Sequence, residues 1–288
     1  MKKSKRILMT ALAASMALGV FSGCSVTVKK DDSAPASNNS TDSAKDASWE
    51  DIQAKGKFIV GLDDAVPPMG FHDENTDELV GVDIDLANAV AEKLGLKAEF
   101  KAIDWKNKEM ELNTKKIDMI WNGFSISEER KQSVLFSTPY MDNTQALVVT
   151  EGSAIKSKSD LAGKKIGVQG GSNAVEAVQA DSIYASVGAD NISTYDTIPL
   201  ALLDLTNGRV DAVVADETVV RYDIKKSNEK YVVLQDNFGD EEYGVGFRKT
   251  DAALKEKIDG AIRELVADGT AAKISAKWFG EDVPNKIK

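Results

Sequence analysis

Apolar positions along the chain alternate between two periods. Short apolar runs at Phe58 to Leu62, Lys165 to Gln169 and Val210 to Ala215 have the length and the β-branched content of buried strands. Helical spacing separates them. Ile84, Ala87, Ala91 and Leu94 fall on one face of a helix from Asp83 to Leu94, with Gly95 as its C-cap. Further helices are predicted over Lys108 to Asn113, Asn173 to Ala180 and Glu217 to Lys225, and Pro199 opens one that runs to Asn207 with Gly208 just beyond. Strand and helix in alternation predict an α/β fold, with parallel sheets covered by helices on both faces.

The pattern also suggests two halves. LNTKKIDMIWNG at Leu112 to Gly123 and LTNGRVDAVVAD at Leu205 to Asp216 share a helix end, a basic residue and a buried strand, so each fits its own α/β lobe. Gln145 to Thr150 and Tyr243 to Arg248 are candidates for a two-strand hinge between the lobes. Leu254 to Asp268 and Ala271 to Trp278 read as closing helices that return to the first lobe.

Ile117 to Arg130, IDMIWNGFSISEER, is the stretch richest in chemistry. A buried strand from Ile117 to Trp121 is broken by Asn122 and Gly123. Ser125 and Glu128 have capping-box spacing and Ser127 is a second possible N-cap, which predicts a helix with Arg130 in its first turn. The macrodipole disfavours a cation there unless an anion is close. Glu128 or Glu129 can supply that anion on a wet surface. Alternatively, the hydroxyl, the helix-end N–H groups and the guanidinium together receive a carboxylate from outside.

Other positions carry weaker signals. Gly170 and Gly171 join a strand to a helix, where Ser172 or Asn173 can cap it and present N–H groups to an anion. Asp216 closes an apolar strand at the end where open α/β sheets place ligands, and it either caps the next helix or holds an ammonium. Asp63 and Asp64 follow the strand Phe58 to Leu62 in the same way, ahead of the irregular loop Pro67, Pro68, Met69 and Gly70. Trp105 reads as core or as a ligand platform.

Composition removes several classes. His72 is the only histidine and Cys24 the only cysteine, so no two-histidine metal site and no intrachain disulfide can form. There is no P-loop, no dinucleotide fingerprint and no G-x-S-x-G elbow, and no cofactor is expected. Lys2, Lys3, Lys5 and Arg6 precede an apolar run from Ile7 to Phe21, which predicts a signal peptide over residues 1 to 23. Ser-Gly-Cys24 then resembles a bacterial lipobox, and the polar residues up to Ser48 read as a flexible tether from a lipidated Cys24. With four basic residues lost in the leader, 46 acidic side chains face 32 basic ones and the mature charge is −14. Nucleic acid is therefore not an expected partner.

Motifs spread over Phe58 to Gly280 carry a family resemblance: VGLDDAVPPMGF, GVDIDLANAVAEKLG, DMIWNGFSISEER, LAGKKIGVQGGS, GRVDAVVAD, EYGVGFRK and ADGTAAKISAKWFG. Together they resemble the polar amino-acid solute-binding proteins of ABC importers. The resemblance implies a bilobed, Venus-flytrap fold, with residues 49–145 plus 246–288 in one lobe and 146–245 in the other. It implies a monomeric, extracytoplasmic receptor, held to the cell membrane by its lipid, that delivers to a permease and its ATPase. On the matching motifs, Arg130 grips the ligand α-carboxylate beside Ser125 and Gly123, and Gln169 and Asn173 add to that grip. Asp216 takes the α-ammonium, Trp105 is the platform for the side chain and Asp63 is a polar contact. Val66 departs from the pattern, which often has an aromatic residue there. Asp63, Asp64, Asn122, Gln169 and Asn173 favour an uncharged polar or basic ligand. The same scaffold occurs in cyclohexadienyl dehydratases, for which Glu109 or Glu217 would have to donate the proton. A ligand sensor acting through a separate membrane partner is a third reading.

Overall fold

The computed structural model describes residues 46–226, 230–280 and 286–288. The expected leader and Cys24 lie outside the described residues. Helix α1 (Ser48–Lys55) leads to β1 (Lys57–Leu62), the short strands β2 (Ala65–Val66), β3 (Gly70–His72) and β4 (Leu79–Val80), and then α2 (Val82–Leu94). Next come β5 (Lys97–Ala102), α3 (Lys108–Asn113), β6 (Met119–Ile120), α4 (Arg130–Ser133) and β7 (Val134–Phe136). A second run holds β8 (Met141–Thr150), β9 (Ile166–Gln169), α5 (Asn173–Ala180), α6 (Tyr184–Val187), β10 (Ile192–Tyr195) and α7 (Ile198–Thr206). It continues with β11 (Ala212–Asp216), α8 (Glu217–Lys226) and β12 (Tyr231–Tyr243), and the chain returns through β13 (Gly246–Arg248), α9 (Ala252–Ala267) and α10 (Thr270–Phe279).

The strands form two five-stranded sheets, ordered β5-β1-β6-β13-β7 and β10-β9-β11-β8-β12, and a small sheet β2-β3-β4. Parallel pairing joins β1 to β5 and β6, and β9 to β10 and β11, as the alternating pattern predicts. Antiparallel strands complete each sheet: β13 beside β6 and β7, β8 beside β11 and β12. Each large sheet is the centre of one lobe of a bilobed fold. The two echoed segments take equivalent interior places, β6 in the first sheet and β11 in the second.

The chain passes between the sheets at residues 137–140 and again at 244–245. These crossings bond to each other: Ser137 N donates to Val245 O at 2.9 Å and Tyr140 N to Tyr243 O at 2.9 Å. The expected strand Tyr243 to Arg248 is therefore split, with Tyr243 ending β12 in one sheet and Gly246 opening β13 in the other. Gly244 allows the passage, since a Cβ there would lie 2.9 Å from Ile126 Cδ1.

Of the face predicted for α2, Ile84, Ala87 and Ala91 are buried and Leu94 is half-buried; Leu86 and Val90 are buried as well, in one apolar core with Phe58, Val60 and Leu62 of β1. Helix α9 packs on α1 and α2, so the closing helices do return to the first lobe. Gly95 ends α2 at φ 69° with open space around it. Gly95→Ala is expected to cost about 1 kcal/mol, because the strain of a left-handed alanine is met without any clash; urea denaturation reads it directly.

Two local expectations are corrected. The tether was expected to reach Ser48, but α1 starts at Ser48, and Asp46 Oδ2 accepts from Ala253 N at 2.6 Å, so order begins sooner. The helix expected from Ser125 to Ser127 is a single turn, α4, beginning at Arg130. Ser125 instead lies extended beside Tyr243, and its hydroxyl donates to Glu241 at 2.9 Å, so no Ser125–Glu128 capping box forms. Ser127 Oγ accepts from Arg130 N at 3.3 Å.

Candidate functional site

One cavity, about 280 Å³ including open solvent, lies where the C-terminal ends of β6, β9 and β11 meet. Trp105, Gly123, Ser125, Arg130, Gln169, Asn173 and Asp216 all line it, together with Val66, Asn122 and Ser172. Asp63 does not reach it. Its carboxylate is buried behind Gln169, accepting from Gln169 Nε2 at 2.5 Å and from Ala65 N at 3.0 Å. Loss of water raises the Asp63 carboxyl above the usual carboxylate range against those hydrogen bonds. Asp64 points elsewhere, 3.3 Å from His72, in the outer loop.

Arg130 is 5% exposed. With only one helical turn behind it, the dipole that should oppose it is small. Its charge is met by Ser125 O at 2.9 Å, Gly171 O at 3.2 Å, Glu176 at 3.6 Å and the face of Phe124, 4.9 Å from its guanidinium carbon. Neither Glu128 nor Glu129 pairs with it; Glu128 bonds Lys131 at 2.7 Å. The remaining N–H groups of the fork are directed at a cavity with no competing carboxylate on their own loop.

The turn before α5 also departs from expectation. Ser172 takes the cap position without capping, because its hydroxyl donates to Gln169 O at 2.8 Å. Gly123 sits at φ 57°, and its N–H donates to Asp83 Oδ2 at 2.7 Å, so that N–H already has a partner. Asp83 is fully buried in α2 and also accepts from Tyr140 OH at 3.0 Å. Burial pushes its carboxyl up to about 7, against the hydrogen bonds from Gly123 and Tyr140.

Residues of the two lobes meet around Gly171. Its carbonyl accepts from Arg130 and also from Lys108 Nζ at 2.8 Å. Lys108 is 3% exposed, lies 5.2 Å over the Trp105 ring and donates to Trp105 O at 3.2 Å. Burial, with help from neighbouring Arg130, lowers its ammonium to about 8. Lys106 reaches Asp196 at 2.5 Å nearby.

Sequence reasoning missed the opposite end of the cavity. Asp216 Oδ1 accepts from Asn143 Nδ2 and Gln145 Nε2, both at 2.7 Å, and the same two amides donate to Glu241 Oε1 at 2.6 and 2.9 Å. Asn173 Nδ2 donates to Glu241 Oε2. Burial and the Glu241 charge raise Asp216 well above the usual carboxylate range. The available signal was the alternation along DNTQA and GDEEY, which puts Asn143, Gln145 and Glu241 on one face only once the strands are paired.

A guanidinium from one lobe and the Asp216 carboxylate from the other thus line one cavity, and Glu241 is bonded to two of its lining residues, Ser125 and Asn173. The sequence pattern of bacterial extracellular solute-binding proteins, family 3, matches residues 58–281. The chain belongs to that family. It is 36% identical over 235 residues to the L-cystine-binding protein TcyJ of Escherichia coli (strain K12), covering 81% of this chain and 86% of that protein. Among solved structures it is similar to an ABC uptake transporter substrate binding protein from Streptococcus pneumoniae with bound histidine, with TM-score 0.78 and 37% identity over 83% of this chain and 98% of that one. An ancestral arginine-binding protein bound to glutamine matches with TM-score 0.72 and 43% identity over 78% of this chain and 99% of that one. Members of the family are extracellular binding proteins, and among the described residues no helix is long and apolar enough to cross a membrane.

Proposed function

We propose that the protein closes on one polar amino acid, uncharged or basic, and passes it to an ABC permease. What carries this reading is the opposition of Arg130 to Asp216 in a single cavity lined from both lobes, which matches the two charges of an amino acid. In this reading Arg130 holds the α-carboxylate, with Ser125 and the turn at Gln169 to Asn173 beside it. Asp216 receives the α-ammonium, and Trp105 with Val66 bounds the side chain. Asp63 acts through Gln169, and it favours a ligand whose side chain ends in donors. Charge-assisted hydrogen bonds of about 1.5–3 kcal/mol each make micromolar affinity, roughly 8 kcal/mol, reachable with a handful of contacts.

Cystine, histidine, arginine and glutamine, named for the relatives, share that description. None has a side chain of net negative charge, the far carboxylate of cystine being balanced by its own ammonium. Glu217, one candidate proton donor for an enzyme, is paired with Arg221, and Glu109 lies 3.5 Å from Lys108, which supports a receptor without catalytic chemistry. Ser-Gly-Cys24 supports a lipid-anchored receptor outside the membrane.

The test is a thermal-shift screen of unfolded and refolded protein against the twenty amino acids, cystine, ornithine and prephenate. A polar or basic amino acid is expected to raise Tm, since ligand at a hundred times Kd adds about 2.7 kcal/mol to folding. Preference for glutamate, aspartate or leucine would overturn the side-chain assignment, and a shift with prephenate alone would favour the enzyme.

A further inference from the structure

Strand β8 lies between β11 and β12, and its register decides which side chains meet. Gln145 stands opposite Asp216 on one side, and Asn143 opposite Glu241 on the other. Residues two apart on a strand share a face, so all four side chains gather on one surface of the sheet. Both N–H bonds of each amide are then engaged, one on Asp216 and one on Glu241. Ser125 Oγ adds a further donor to Glu241 at 2.9 Å.

Two carboxylates that share the same donors are neighbours, and the Glu241 charge disfavours ionisation of Asp216. Among the described residues neither is in an ion pair, so no cation of the protein relieves the repulsion. Gln145 Oε1, buried beside them, is an acceptor with no partner. A group with one positive charge and three N–H donors would satisfy the whole cluster, and a primary ammonium is that group.

We propose that Glu241 is a second ligand for the amino-acid ammonium, and that the Asp216–Glu241 pair holds one proton when empty and releases it as the ammonium enters. This rests on the receptor reading above. The balance is simple: a carboxyl O–H of the pair loses its proton to water, and the singly charged pair becomes doubly charged around one ammonium. The net charge around the pair is unchanged, one ammonium replacing one proton. Glu241, Asn143 and Thr218 line a separate, larger hollow, about 1480 Å³ including open solvent, which gives the proton an exit while the lobes are closed.

The other groups facing the pair leave the proton to it. Tyr243, on the same strand, is held neutral because burial and both carboxylates raise its hydroxyl well above its ordinary range. From α8, Thr218 bonds Tyr243 OH at 3.3 Å and Glu217 bonds Arg221. From α5, Asn173 is a donor and Glu176 faces Arg130, whose charge is fixed. Asp240 and Glu242 point to the other face of β12, where Thr144 and Lys288 hold them.

Calorimetric titration of the protein with L-arginine and with L-glutamine, at about pH 6.5 in phosphate and in Bis-Tris, counts protons released. That pH keeps Lys108 charged, so closure adds none from it. Close to one proton is expected per ligand bound, with Kd falling up to about tenfold per pH unit for as long as the empty pair still holds its proton. Glu241→Gln, with folding checked by circular dichroism, should bind more weakly and release clearly less than one proton, burial alone still raising Asp216. Binding without proton release in the unmodified protein overturns the proposal and leaves the receptor reading intact. A Glu241→Gln variant with unchanged affinity and unchanged proton release also overturns it. No binding of either amino acid removes both.

Discussion

Arg130→Ala is expected to raise the dissociation constant for the amino acid at least about a hundredfold, and by titration calorimetry binding should be lost. The guanidinium offers two parallel hydrogen bonds to a carboxylate, and removing charge-assisted bonds of about 1.5–3 kcal/mol each forfeits about 3–6 kcal/mol. The fold should survive. Arg130 stands at the rim of the first lobe, bonded to Ser125 O and Gly171 O and lying over Phe124, and it is not part of the core around Phe58, Leu62 and Leu86. Arg130→Lys should be nearly as damaging, since a lysine cannot present the planar fork. Micromolar affinity in Arg130→Ala would mean that the carboxylate is held elsewhere.

Asp83 should make the unliganded protein more stable in mild acid than at alkaline pH. Its carboxyl is raised from 3.8 to about 7, so between those values the native state keeps a proton that the unfolded chain has released. Stability from this group is full near pH 4, declines as pH rises toward 7 and is gone above it, a swing on the order of 4 kcal/mol. Other groups act in the opposite direction. Asp46 and Asp268, lowered in the native state, lose their contribution as pH falls through their own range. The comparison is therefore between the protein and Asp83→Asn, by urea denaturation at about pH 5 and 8. The gap between the two proteins should favour the unmodified one by more at pH 5; an equal gap at both pH values would mean that Asp83 is ionised throughout.

Much of this architecture was legible from local pattern. Runs such as Phe58 to Leu62 and the spaced face of α2 need only near neighbours to be read, and the strand ends that carry Arg130, Gln169 and Asp216 followed from them. The residues that were missed depend on distant partners. Glu241 sits in DEEY, three acids that in isolation read as a wet surface, and its meaning comes from a strand 98 residues earlier that brings Asn143 beside it. Ser125 was assigned to a helix cap because Glu128 has the right spacing, but Glu241, 116 residues away, takes the hydroxyl first. Asp63 was placed in the cavity by its position after β1, whereas Gln169 from the other lobe covers it.

The order of the first sheet has a consequence for how such a chain is completed. β13 opens at Gly246, 110 residues after its β7 partner Phe136, yet it lies inside the sheet, bonded to β6 on one side and to β7 on the other. A chain emerging from its N-terminus would present every strand of the second sheet before the first could close. An end lost before Gly246 leaves β7 with nothing to pair to and exposes the bare edge of β6. Premature termination would therefore leave no half-strength receptor, only one lobe with its strands complete and another with an open seam, the kind of edge that invites aggregation and quality-control proteolysis.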